Sequence, residues 1–226
     1  FFSKLCAGGR SSTMPDLVAK VVANANAAFE AKKGVAGLAD ARNVFDGALL
    51  ELVDEISEEE ASMASPQGPL PQGVNVKNAG DTEATVTEKR VLQKKRKVVC
   101  QLWLAWAEME KGKKQWKQVV KVFDQACACK VAGRSASVWC SYASFCDGRG
   151  KTNNALKHLT DAVTAVRSNK AVDMVLIDLL ALRIKVQQQQ STVGGTGEEE
   201  LTMEALKEQL KPALDARLAL EGNNED

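Results

Sequence analysis

Residues 102–110 read LWLAWAEME, and residues 138–146 read VWCSYASFC. Superposing Trp103 on Trp139, an offset of 36, places Trp106 on Tyr142 and Met109 on Phe145. The same offset places Phe123 on Leu159 and Ala126 on Ala162. A repeat of this length, made of two short helices, marks a stacked helical array in which each unit buries its apolar face against its neighbours. The sequence therefore predicts an all-α fold, a short α-solenoid of antiparallel helical hairpins. No segment shows the period-two alternation of a strand.

Working outward from these two stretches, a helix is expected over 87–111, capped by Thr87. Its apolar stripe is Val91, Val98, Val99, Leu102, Trp103, Trp106 and Met109. Gly112 breaks it, and a return helix follows over 115–129. The next hairpin runs Ser135–Cys146 and Asn153–Val166, split by Asp147-Gly148-Arg149-Gly150, and Ala171–Val186 adds a further helix, so 87–186 forms the repeat block. Upstream, 14–56 reads as an N-terminal helical hairpin broken at Lys33–Gly37, in which Phe45-Asp46-Gly47-Ala48 echoes Phe123-Asp124-Gln125-Ala126. Residues 57–86, with three Pro and three Gly, read as a flexible insertion. Residues 187–200 form a polar linker, and 201–226 a last amphipathic helix, interrupted at Pro212, with an acidic tail. Residues 1–13 carry Lys4 and Arg10 and no acid, and read as a targeting remnant or a disordered start.

Lys plus Arg (30) nearly balances Asp plus Glu (29), so net charge singles out no polyanionic partner. The distribution is uneven. Residues 88–121 hold 11 Lys/Arg against 3 Asp/Glu, whereas 51–60 hold six acids and no base. A basic middle with acidic flanks holds itself together, binds an acidic partner or touches RNA phosphates. Six cysteines lack metal-site spacing and read as buried free thiols, which suits a reducing compartment. His158, the one histidine, completes no triad and reads as a solvated helix residue; Gly194-Gly195-Thr196-Gly197 lacks the Lys-Ser/Thr of a phosphate loop. No metal, cofactor, membrane span or catalytic residue is expected.

Trp103, Trp106, Ala107, Met109 and Glu110, followed by Val119, Val122, Phe123, Asp124 and Ala126, resemble the half-a-TPR (HAT) repeat. Residues 138–162 keep Trp139, Tyr142, Ala143, Phe145, Ala155 and Ala162 but have Cys146 where that family favours an acid. A divergent TPR fits nearly as well. The resemblance implies a helical scaffold, often within RNA-processing assemblies.

Two functions follow as expectations. The first is a non-enzymatic scaffold or adaptor, a protein-binding subunit of a larger complex. The alternative is an RNA-binding or RNA-processing factor using the basic helix 88–121. Contact candidates in either case are Lys94, Lys95, Arg96, Lys97, Lys113, Lys114, Trp116 and Lys117. Consecutive charges on a helix point all round it, so they cannot all reach one partner. Trp103, Trp106, Trp139 and Tyr142 either stack bases or, as i, i+3 pairs in an apolar stripe, pack between the helices of each hairpin. Phe123, Ala126, Phe145 and Ala162 complete the repeat-defining set. The opening segment points to an organelle, the mitochondrion, with the nucleus as the alternative on Lys94–Lys97.

Overall fold

A computed structural model describes residues 14–64, 83–191 and 202–222. Every element among them is helical, and none is a strand, so the chain is all-α. It divides into two compact units, Phe1–Met109 and Glu110–Asp226.

In the first unit, α1 (Met14–Lys32) and α2 (Gly34–Ala64) form an antiparallel hairpin. The break expected at Lys33–Gly37 is a tight turn. Lys33 and Gly34 both take positive φ (52° and 59°), and the Lys33 N–H donates to the Phe29 carbonyl at 2.7 Å. The two helices then approach so closely that a Cβ on Gly37 would stand 2.5 Å from the Phe29 carbonyl oxygen. Val21 and Ala25 on α1 are buried, and so are Leu38, Ala41, Phe45, Leu49, Leu52 and Ile56 on α2, the i, i+3/i+4 spacing of a buried helical stripe. The third helix, α3 (Glu83–Gly112), buries Leu92, Val98, Val99, Leu102, Trp103 and Trp106. Phe45 stacks on Trp106 with centroids 5.8 Å apart, and Trp106 stacks on Trp103 at 5.5 Å. Trp106 thus has an aromatic partner on α2, in the preceding hairpin.

The second unit contains α4 (Trp116–Ala128), a 3-10 turn (Ala132–Arg134), α5 (Ala136–Gly148), α6 (Thr152–Ala165), α7 (Asn169–Ser191), α8 (Met203–Gln209) and α9 (Lys211–Gly222). Phe123 of α4 stacks on Tyr142 of α5 at 4.9 Å and tilts against Phe145 at 5.9 Å. The turn between these helices requires Gly133, because a Cβ there would sit 2.1 Å from the Cys127 carbonyl oxygen. Trp139 locks the turn by donating from Nε1 to the Gly133 carbonyl at 2.7 Å. Beyond it, α5 packs on α6 and α6 on α7, and Ala155, Leu159, Ala162 and Val163 of α6 are buried, as are Val172, Val175, Leu176 and Leu179 of α7. Thr202 caps α8 by accepting from the Ala205 N–H. The interruption expected near Pro212 falls at Leu210, and Pro212 stands in the first turn of α9, where its missing N–H has no helical acceptor to serve.

Three boundaries differ from expectation by a turn or more. The insertion expected over 57–86 is helical at both ends: α2 runs on to Ala64, and α3 begins at Glu83. SEEEASMA holds no Pro or Gly and several good helix formers, so nothing stops α2 there. Thr87 therefore lies inside α3 and does not cap it. The polar linker expected from 187 is helical through Ser191, for the same reason of propensity in the Gln run. Residues 1–13, 65–82, 192–201 and 223–226 lie outside the described residues, and with them the targeting remnant, the Pro/Gly-rich part of the insertion and the end of the acidic tail.

Candidate functional site

The basic stretch of α3 is divided by the helix that carries it. Lys95, only 14% exposed, places Nζ 2.9 Å from Glu55 Oε2 and 2.6 Å from Glu59 Oε1, two carboxylates one turn apart on α2. Arg96 Nη2 reaches Glu60 Oε1 at 2.6 Å. Burial works against the Lys95 charge, but the hydrogen bonds to Glu59 and Glu55 outweigh it, and its pKa ends above the ordinary lysine value. Lys94 and Lys97, like Arg90, are exposed. Of the four consecutive candidates, then, two hold α2 to α3 and two face solvent.

The other candidates stand in the second unit, around the start of α4. Lys114 takes a positive φ of 57° in the turn that leads into Trp116. Lys114 and Lys117 are exposed, and Lys113 and Trp116 are half-buried. Trp116 rests on Phe145 of α5, with centroids 6.4 Å apart, and Arg149 lies over the indole with its Cζ 4.5 Å from the ring centroid. Arg149 reaches that position from the α5–α6 turn. There the Lys151 N–H donates to the Cys146 carbonyl and Gly150 adopts a φ of 71°. Arg149 and Lys151 are both exposed. The sequence marked this turn only as a helix break; the Gly148/Gly150 pair gave no sign of which aromatic Arg149 would meet. Asp147, beside it, is already engaged: Oδ2 accepts from Lys185 at 2.6 Å and Oδ1 from Thr152 at 3.0 Å. The Lys185 bond, with that from Thr152, holds its carboxyl below the usual aspartate range.

A second polar cluster joins α4, α5 and α6. The Tyr142 hydroxyl donates to Asp124 Oδ1 at 2.8 Å, and His158 stacks on the Tyr142 ring at 4.0 Å. His158 is thus half-buried against an aromatic ring rather than a solvated helix residue. Burial lowers its pKa, with Lys157 adding to the effect, against opposing pulls from Asp161 and Asp124. Burial also raises the pKa of Tyr142 and of Cys146, and pushes Cys127 and Cys140 up to about 12. These thiols and the phenol are held protonated at neutral pH, the opposite of an activated nucleophile. No group of three or more His, Cys, Asp or Glu converges as a metal site among the described residues, and none of their helices is long and apolar enough to cross a membrane.

Between α5 and α7 lies a shallow groove of about 300 Å³, lined by Cys140, Ala143, Asp147, Asp178, Leu182 and Lys185. Two large apolar side chains of α7, Met174 and Ile177, are 48% and 57% exposed. Comparison with protein-family models, with curated proteins and with solved structures found no match to this chain.

Proposed function

We propose that the chain is a non-enzymatic scaffold, a short α-solenoid of antiparallel hairpins similar to half-a-TPR repeats, which binds proteins of a larger assembly. The observation that carries this reading is the register of burial. Leu102, Trp106, Ala107 and Glu110 are buried, and so are Val138, Tyr142, Ala143 and Cys146, their counterparts 36 residues on. Val119, Phe123 and Ala126 are buried, and so are Ala155, Leu159 and Ala162. Equivalent positions serve equivalent packing, as stacked units require. The exposed Met174 and Ile177 add apolar surface of the kind a protein partner covers. The alternative, RNA binding through 88–121, draws on Lys94, Lys97, Lys114 and Lys117 but loses Lys95 and Arg96 to the carboxylates of α2.

The test is purification of the tagged chain from extract, with and without RNase, followed by rebuilding of the recovered complex from purified proteins. A fixed protein set that survives RNase and reassembles supports the scaffold. Recovery of RNA, with loss of the proteins on RNase treatment, overturns it in favour of RNA binding.

A further inference from the structure

We propose that the paired turns around Trp116 form a carboxylate-reading surface, on which the chain holds an acidic segment of a partner protein. This rests on the scaffold reading and adds to it a site and a partner chemistry. Arg149 is exposed and stacked, Cζ 4.5 Å from the Trp116 centroid, and the indole is itself backed by Phe145. A guanidinium held over an aromatic face loses little further freedom when it binds, and its planar fork offers parallel N–H groups that match a carboxylate. Lys114, Lys117 and Lys151 add three exposed ammonium groups on the same turns and the first turn of α4. Three acids near in sequence are accounted for: Asp147 is occupied by Thr152 and Lys185, Asp124 by Tyr142, and Glu110 is fully buried.

The same geometry selects between two anionic partners. Single-stranded RNA binds such surfaces by stacking bases on open aromatic faces. Trp116 is half-buried and its ring already carries Arg149, so a base would have to displace the guanidinium that the phosphates also need. A carboxylate needs no such displacement.

The experiment titrates the full chain, in low-salt buffer of fixed ionic strength, into fluorescein-labelled hexaglutamate or hexauridylate and follows anisotropy. Hexaglutamate is expected to bind more tightly. Arg149→Lys keeps the charge but loses the fork, and should weaken that binding by roughly tenfold. Trp116→Leu should weaken it to a similar degree, and Lys94→Ala should not. Circular dichroism confirms that each variant keeps its helix content. Full binding by Arg149→Lys, tighter binding of hexauridylate, or no binding of hexaglutamate each overturns the proposal. Co-purification from extract separates the two levels. An unchanged protein set on Arg149→Lys sinks the carboxylate site and leaves the scaffold standing; no protein set on the wild-type chain sinks the scaffold itself.

Discussion

Trp103 and Trp139 occupy equivalent places in the sequence repeat but differ in hydrogen bonding, and that difference can be measured. Trp139 Nε1 donates to the Gly133 carbonyl, whereas Trp103 Nε1 is buried without a hydrogen-bond partner. The residue equivalent to Gly133 is Lys97, which lies within α3, where carbonyls are committed to the helical ladder. Replacing each tryptophan by phenylalanine therefore has unequal consequences. In Trp139→Phe a hydrogen bond is lost at a turn whose glycine is buried, a loss of about 1–2 kcal/mol. In Trp103→Phe the smaller ring leaves a void costing roughly 1–2 kcal/mol. Removing a donor that is buried and unmatched returns about 1–3 kcal/mol. Trp103→Phe should thus lie between about 1 kcal/mol below and about 2 kcal/mol above wild type in stability, despite removing part of a more buried side chain. The assay is urea unfolding followed by circular dichroism. With a slope of about 2 kcal/mol/M, the Trp139 variant should unfold about 0.5–1 M earlier, and the Trp103 variant between about 0.5 M earlier and about 1 M later than wild type. A Trp103→Phe loss larger than that of Trp139→Phe would refute the reasoning.

Gly133→Ala forces a Cβ to within 2.1 Å of the Cys127 carbonyl and should destabilise the α4–α5 turn by roughly 3 kcal/mol or more, visible as a lowered thermal midpoint. Because the Lys95 pKa is raised on folding, its contribution is complete below the unfolded lysine value, near 10.4, and is lost as pH rises through the folded value. Urea titrations between about pH 9 and 12 should show stability falling more steeply in wild type than in Lys95→Met. The His158 pKa is lowered on folding, so the stability it confers is present above the unfolded value, near 6.5, and is lost as pH falls through the folded value. As the sole imidazole of the chain, it should give one proton NMR titration with a midpoint below 6.5, and a midpoint at or above that would contradict its burial against Tyr142.

The helical class was legible because long apolar stripes with a 3.6-residue period admit no strand reading, and the breaks at Lys33–Gly34 and near Pro212 were legible because Gly and Pro act locally. The extensions of α2 to Ala64 and α7 to Ser191 were not, since SEEEASMA and the Gln run have helix propensity but no apolar period. Helical spacing showed that Lys94–Lys97 point different ways. It gave no means of telling which two would face Glu55, Glu59 and Glu60, a matter of packing between α2 and α3. Arg149 was hidden for a similar reason: its partner Trp116 lies 33 positions away and is met only through the turns.

The clasp between α2 and α3 also bears on how this protein tolerates change. Glu55, Glu59 and Glu60 bond to Lys95 and Arg96 across 36 to 40 positions of sequence, and Phe45 and Trp106 stack between the same two helices. The association of these helices is therefore written in their side chains. A substitution that removes one member of this set leaves the others to hold α2 against α3, so the pairing of the two helices survives change one side chain at a time.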